Sequence, residues 1–336
     1  MRALRCGILL LVCAAELPAA KDLRIYAIDV EGGQATLFVS PSGQTMLVDA
    51  GWEGFNHRDA GRIAAAAKAA GVKKIDYLVI TLFHREHVGG VQDLSRKMPI
   101  LNFVDHGAQT ETGKDAEILF NEYSAFRDKG NHIVVKPGDT IPIKGLDVKV
   151  LSAGGKVIES PLAGAGQANP DCAGYARPPE DRTENGQTVG LLITFGQFRM
   201  LDLSDLSKDR EYDLTCPIDK IGPVDLFLVS HHGSRTANSP AFVHAVEPRV
   251  AIMNNGPNRG GDPEVWQTLH DTRGLADIWQ LHYTVTTDKA HNAPDTFIAN
   301  VDAQCQGNWI RITALQNGDF TVYNSRNRYE KTYTKR

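Results

Sequence analysis

The chain has 336 residues, 42% of them hydrophobic, with 31 Gly, 16 Pro and a formal net charge of −4. That is ample apolar material for a sizeable core, and the length fits one large α/β domain or two smaller ones. The slight acidity, with no Lys/Arg block, counts against a protein built to grip long nucleic acid, which needs a basic footprint; it leaves nucleotides and other small phosphates open.

The first 20 residues read as a secretory signal. Arg2 and Arg5 open it, Gly7 to Ala15 is a short apolar run, and Pro18-Ala19-Ala20 offers small residues for cleavage before Lys21. The run is far shorter than the roughly 20 residues that span a bilayer, so the expectation is a secreted or periplasmic protein without a membrane span. Strand-like segments follow at 23–30, 34–39 and 45–49, the last stopped by Ala50-Gly51. A helix is predicted from about Arg58 to Ala70, with Gly71 as its stop. The apolar strand at 77–82 leads into Phe83-His84-Arg85-Glu86-His87, and Gly89-Gly90 lets the chain turn tightly after it. A second helix is expected at 114–128, and short strands between 133 and 151.

Residues 153–187 are rich in Gly, Pro and polar side chains and read as a long loop or lid; long loops in compact domains are often functional. The second part of the chain then repeats the logic of the first. Strands at 188–195 and 198–203 end in Ser204-Asp205, and a helix is expected around 207–213. A strand at 224–229 ends in Ser230-His231-His232-Gly233. A helix at 240–245, a strand at 250–253, a helix at 263–268, and a pair at 309–314 and 319–324 around Asn317-Gly318 complete the reading. Strands then helices, given twice, imply two mixed sheets packed face to face with helices outside.

Three strand ends therefore carry His84, Glu86 and His87, then Asp205, then His231 and His232. Imidazole and carboxylate ligands suit zinc or manganese, and a shared metal site follows. Asp205 also fits a helix N-cap. Asp105, His106 and His291 are read as loop residues that could line a pocket. Past the signal, Cys172, Cys216 and Cys305 remain; a Cys172–Cys216 bridge and three free thiols are both open. None has zinc-finger spacing, so no cysteine metal site is expected. Phosphate-loop, dinucleotide and serine-nucleophile motifs do not occur.

The segments Ile28 to Ala35, Leu47 to Gly51, Thr81 to Gly90, Leu201 to Asp205 and Ser230 to Ser234 resemble, in this order, the motifs of metallo-β-lactamase-fold hydrolases. They are most similar to those of the hydrolase domain of bacterial competence DNA-uptake proteins. The resemblance implies a four-layer αββα sandwich, with residues 21–336 as one domain carrying the 153–187 loop. It implies that Asp49 supports the metal loop from behind, and that Glu86, His87, Asp205 and one of His231 and His232 hold a metal. Two departures stand out. The family loop reads H-x-H-x-D-H, and here Leu82 replaces the first His and Glu86 the Asp. The next ligand position falls near Asn185, where no His stands. His84 and Asp205 alone would remain for a second ion, so one well-held Zn2+ or Mn2+ and a weak or absent second are expected.

The implied activity is hydrolysis of a phosphodiester or another ester. Asp205 would orient water, and the histidine of the pair that is not a ligand, with the sequence favouring His231, would stabilise charge or protonate the leaving group. Leu82 and Glu86 also support a rival expectation, a catalytically inactive binding protein on the same fold.

Overall fold

The computed structural model describes residues 22–302 and 304–335; the expected signal lies outside them. The first six strands are β1 (Asp22–Ala27), β2 (Thr36–Val39), β3 (Thr45–Val48), β4 (Ile75–Val79), β5 (Ile100–Asp105) and β6 (Asn131–Val134). The next eight are β7 (Asp147–Ala153), β8 (Lys156–Val157), β9 (Gly190–Phe195), β10 (Phe198–Asp202), β11 (Leu226–Leu228), β12 (Val250–Met253), β13 (Asp277–His282) and β14 (Ile298–Asn300). The last three are β15 (Ile310–Leu315), β16 (Phe320–Asn324) and β17 (Glu330–Tyr333). One sheet runs β17-β16-β15-β1-β2-β3-β4-β5-β6 and the other β14-β13-β12-β11-β10-β9-β7-β8. Both are mixed: β3 to β6 pair in parallel, as do β10 to β14, and the other neighbours are antiparallel.

The helices are α1 (Arg58–Ala69), α2 (Arg85–Val88), α3 (Val91–Lys97), α4 (Lys114–Arg127), α5 (Glu184–Gln187), α6 (Lys208–Thr215), α7 (Pro240–Val246) and α8 (Pro263–His270). Side chains alternate across a strand, and β1 shows how this makes layers. Leu23, Ile25 and Ala27 enter the central core with Phe198, Leu226 and Trp279 of the other sheet. Tyr26 faces outward and shares a second cluster with Ile63 of α1 and Leu94 of α3. A third cluster packs Leu214, Phe242 and Leu269, from α6, α7 and α8, on the opposite face. Helices, sheet, sheet and helices form the expected αββα sandwich. The 153–187 stretch is mostly irregular, carrying only β8, a 3-10 turn at Pro170–Cys172 and α5.

Three differences from the sequence reading have local causes. The C-terminal pair, read after the second run of strands, joins the first sheet: β15 pairs antiparallel with β1, and β16 and β17 extend that sheet. Asp105 is not a loop residue but the last residue of β5, fully buried where Tyr123 and His132 bond its carboxylate at 2.7 and 2.9 Å. Strand β13 escaped the reading because Gln280 and His282 are polar although buried within it. The Cys172–Cys216 alternative is the one realised, as a disulfide that fastens the long loop to the end of α6. No helix of the described residues is long and apolar enough to cross a membrane.

Candidate metal centre

Past β4 the chain bends at Phe83 and His84, then makes the single turn of α2. His87 and Val88 both donate backbone N–H groups to the His84 carbonyl at 3.0 Å. The turn is laced to the end of β3: Ala50 N donates to His87 O at 2.8 Å and Gly90 N to Gly51 O at 2.9 Å. A Cβ on Gly90 would lie 2.0 Å from the Ala50 carbonyl oxygen, so only glycine permits this approach. Asp49, with φ 61°, aims its buried carboxylate at the turn. It accepts from Thr81 N at 2.8 Å and Thr81 Oγ1 at 2.6 Å, and faces His87 Nδ1 at 2.8 Å.

The second strand end is Asp205, three residues past β10. The third is the 3-10 turn Ser230–Gly233 after β11, where His231 and His232 both have positive φ, 50° and 56°. Such backbone is uncommon for residues with a Cβ and is held by its surroundings. Here His231 N donates to Ser204 O at 2.7 Å. Asn238 clamps the turn by accepting from Ser230 N and donating to Ser230 O and Ser234 O. Asn238 N and Ser239 N in turn donate to the buried Glu211 carboxylate at 2.6 and 2.9 Å.

These supports bring Glu86, His87, Asp205 and His232 together, with one ligand-capable atom from each within 4.8 Å of the others. All four residues are buried. His87 Nε2 stands 3.2 Å from Asp205 Oδ2, and His232 Nε2 stands 3.4 Å from Asp205 Oδ1. Yet His87 Nε2, both Asp205 oxygens and His232 Nε2 lack a hydrogen-bond partner. Buried polar atoms without partners are rare, and a converging set of them calls for a missing partner. In a tetrahedral site with zinc bonds of about 2.1 Å, ligand atoms sit about 3.4 Å apart. The donor set and its spacing fit a divalent cation.

The electrostatics agree. Burial alone would raise the Asp205 pKa, but His232, His87 and His231 around it hold it well below the ordinary carboxylate range. Burial disfavours charge on His87, yet Asp205 and Asp49 on either side raise its pKa well above the usual imidazole value. A cation must displace that proton, so binding weakens as pH falls. Below the site, Gln34 Nε2 donates to both oxygens of Asp202 at 3.1 and 3.0 Å. Burial, with Asp49 adding to it, still pushes Asp202 up to about 7.

The other expected residues are placed as follows. His231 sits at the rim, Nε2 3.4 Å from Asp205 Oδ2 and Nδ1 3.0 Å from Thr236 Oγ1. His84 is outside the four-residue group, its Nε2 3.1 Å from Glu111 Oε1. Leu82 is fully buried. His106 is turned inward to Glu184 at 3.0 Å, not into a pocket. Asn185 lies in α5 with a buried Oδ1 that has no partner. His291 lies in a 3-10 turn, paired with Asp288 at 2.7 Å.

Sequence reasoning missed Glu184. Its carboxylate accepts from Phe83 N at 3.1 Å and from Thr110 N at 2.8 Å, joining the end of the long loop to the metal loop. Burial opposes its charge, but His106 and the bonds from Thr110 lower its pKa to about 2. It also missed a second cluster of metal-capable side chains, Asp29, Glu31, His282 and Cys305. Cys305 lies 276 residues from Asp29, so no spacing motif could reveal it. This group differs from the first in already containing a cation. Arg62 donates to Asp29 Oδ2 at 2.8 Å, Glu31 Oε1 at 3.0 Å and Cys305 Sγ at 3.1 Å. Burial and Asp29 also push the Cys305 thiol up to about 12, which opposes the thiolate that a metal needs. No buried nitrogen or oxygen of Asp29, Glu31 or His282 is left without a partner.

The family described as Lactamase_B, Metallo-beta-lactamase superfamily, matches residues 28–170. The chain is similar to ComE operon protein 3 of Bacillus subtilis, 26% identical over 191 residues. That match covers 56% of this chain and 21% of the relative, so the chain spans about a fifth of its length. Among solved structures, the metallo-beta-lactamase fold protein YhfI from Bacillus subtilis is 12% identical, with a TM-score of 0.48, over 76% of this chain and 96% of that one. Zn(2+)-bound PqqB from Methylobacterium extorquens is 16% identical, with a TM-score of 0.45, over 77% and 97%. Two mixed sheets flanked by helices, a matching family segment and a metal-capable group at three strand ends give this chain the architecture of the metallo-β-lactamase-fold hydrolases.

Proposed function

We propose that the chain is a secreted, metal-dependent hydrolase of phosphodiester or other ester bonds, working with one well-held divalent ion. The observation that carries this reading is the convergence of unpartnered buried atoms of His87, Asp205 and His232, with the Glu86 carboxylate within reach of them. Those four residues would hold zinc or manganese. When bound, the ion supplies a Lewis acid and makes water nucleophilic near neutral pH. Asp49 fixes the His87 ring by taking its Nδ1 proton in a hydrogen bond, which leaves Nε2 free to ligate. Asp205, kept ionised by the surrounding histidines, orients water and can accept its proton. His231 is at the rim beside Asp205, placed to stabilise charge or pass a proton to a leaving group, although burial lowers its pKa despite Asp205 and so works against its protonated form.

The motif order, which resembles that of the hydrolase domain of competence DNA-uptake proteins, favours a phosphodiester. The Cys172–Cys216 bridge supports secretion, because disulfides persist in oxidising compartments. A second reading, an inactive binding protein, draws on buried Leu82 and on His84 being engaged by Glu111, which leave the other metal position of the fold without its ligands. The deciding experiment loads purified protein with zinc or manganese and offers a phosphodiester, a phosphonate, a lactone and a β-lactam. Turnover of the phosphodiester that is lost in His87→Ala supports the hydrolase; full metal loading with no turnover of any of the four supports the binding protein.

A further inference from the structure

The loop after β12, residues 254–261, presses against the metal centre by bare backbone. A Cβ on Gly260 would lie 2.0 Å from the His232 carbonyl oxygen, and Gly261 N donates to that oxygen at 3.0 Å. Gly256 N donates to Arg259 O at 2.8 Å, and a Cβ on Gly32 would lie 2.8 Å from Arg259 Cβ. Arg259 is thereby fixed between the His232 turn and the hairpin after β1. Its guanidinium carbon lies 5.2 Å from the centre of the Trp52 ring. Its Nη2 donates to Glu86 Oε1, and this is its only side-chain hydrogen bond among the described residues. The side chain is 40% exposed.

A guanidinium has five N–H donors in a rigid fork suited to phosphate and carboxylate oxygens. Glu86 uses one. Trp52 holds the guanidinium by its ring face, consuming no donor. A cation on Glu86 would share the carboxylate charge that now balances Arg259, while the contact with Trp52 would persist. The result is a permanent positive charge with free donors at the edge of the centre, beside His231, whose charged form it disfavours.

We propose that Arg259 binds an anionic oxygen of the substrate and makes the centre selective for oxyanion esters, phosphodiesters foremost, over neutral esters. The inference rests on the metal-hydrolase reading above. The test uses full-length wild type, Arg259→Ala and Arg259→Lys, titrated with zinc and then, once zinc-loaded, with inorganic phosphate or acetate by calorimetry. Arg259→Ala should bind zinc at least as tightly as wild type, since Glu86 is released, yet lose on the order of 10- to 100-fold in phosphate affinity, the loss of charge-assisted hydrogen bonds. Arg259→Lys should fall between. An equal loss for acetate would mean recognition of any oxyanion; a loss for phosphate alone would mean recognition of phosphoryl oxygens. Equal phosphate affinity in zinc-loaded wild type and Arg259→Ala overturns the inference, as does no phosphate binding to zinc-loaded wild type or loss of zinc from Arg259→Ala. Failure of wild type to bind zinc overturns the metal reading itself, and this inference with it; the zinc titration separates that outcome from the others.

Discussion

Replacing Asp49 by Asn changes one atom type in the carboxylate that backs the candidate metal centre. The backbone should accept it, because Asn tolerates the left-handed conformation that Asp49 adopts at φ 61°. The side chain should not function alike. Oδ2 faces Thr81 Oγ1 at 2.6 Å, His87 Nδ1 at 2.8 Å and Ser204 Oγ at 3.4 Å, while Oδ1 accepts from Thr81 N at 2.8 Å. An amide has one acceptor oxygen and one NH2 group. With its oxygen toward Thr81 N, its NH2 meets His87 Nδ1 and drives the proton of that ring to Nε2, the atom that must ligate. With the amide flipped, Thr81 N loses its acceptor in a fully buried site, at a cost of about 1–3 kcal/mol. Changes in such supporting partners typically cost 10–100-fold in metal affinity, and Asp49→Asn is expected to fall in about that range for zinc. Competition against a chromophoric chelator at pH 7.5 reads the affinity, and melting in the chelator alone reads the fold. Unchanged zinc affinity in a folded Asp49→Asn protein would refute the argument that Asp49 sets the His87 tautomer.

Four further outcomes are expected. His232→Ala should lose metal, whereas His231→Ala should keep it and lose about 10²- to 10⁴-fold in turnover; metal analysis with kinetics checks the separation, and full metal and activity in both would contradict it. Leu82→His with Glu86→Asp should let the chain take up additional zinc or hold a second ion more tightly, read by calorimetric titration with the fold checked by circular dichroism. Burial pushes Glu211 up to about 7 despite its bonds from Ser239 and Asn238. The folded state then binds more protons than the unfolded one between about 4.5 and 7, so this group's stabilising contribution is lost as pH rises through that window. Urea unfolding of the metal-free protein should show a shallower decline across it in Glu211→Gln than in wild type. Finally, opening the disulfide, which closes a separation of 44 residues, should cost up to about 4 kcal/mol by loop entropy. Urea unfolding of Cys172→Ser with Cys216→Ser against wild type measures it; equal stability would show that the bridge constrains nothing.

The layers and the metal loop were legible because apolar runs ended in His, Glu and Asp, a pattern that local sequence displays directly. The order of those strand ends singled out Glu86, His87, Asp205 and the histidine pair as candidates, and the fold groups Glu86, His87, Asp205 and His232. Direction was not legible: nothing in the sequence says that His84 turns to Glu111 while His87 turns inward. Glu184 looked like one more polar residue of a loop, and its bonds to Phe83 and Thr110 exist only once distant segments meet. Arg259 was hidden for the same reason, although Gly256, Gly260 and Gly261 around it mark a close backbone approach. Strand β17 was missed as well, since only Tyr333 of its four residues is buried.

Metal content is the measurement that bears most directly on the central claim. Protein purified in trace-metal-free buffer and then offered zinc or manganese should hold about one ion per chain, and His87→Ala, prepared identically and shown to be folded, should hold little. A wild-type content below about 0.2 ion per chain, not restored by either metal, would contradict the claim that Glu86, His87, Asp205 and His232 form a metal centre.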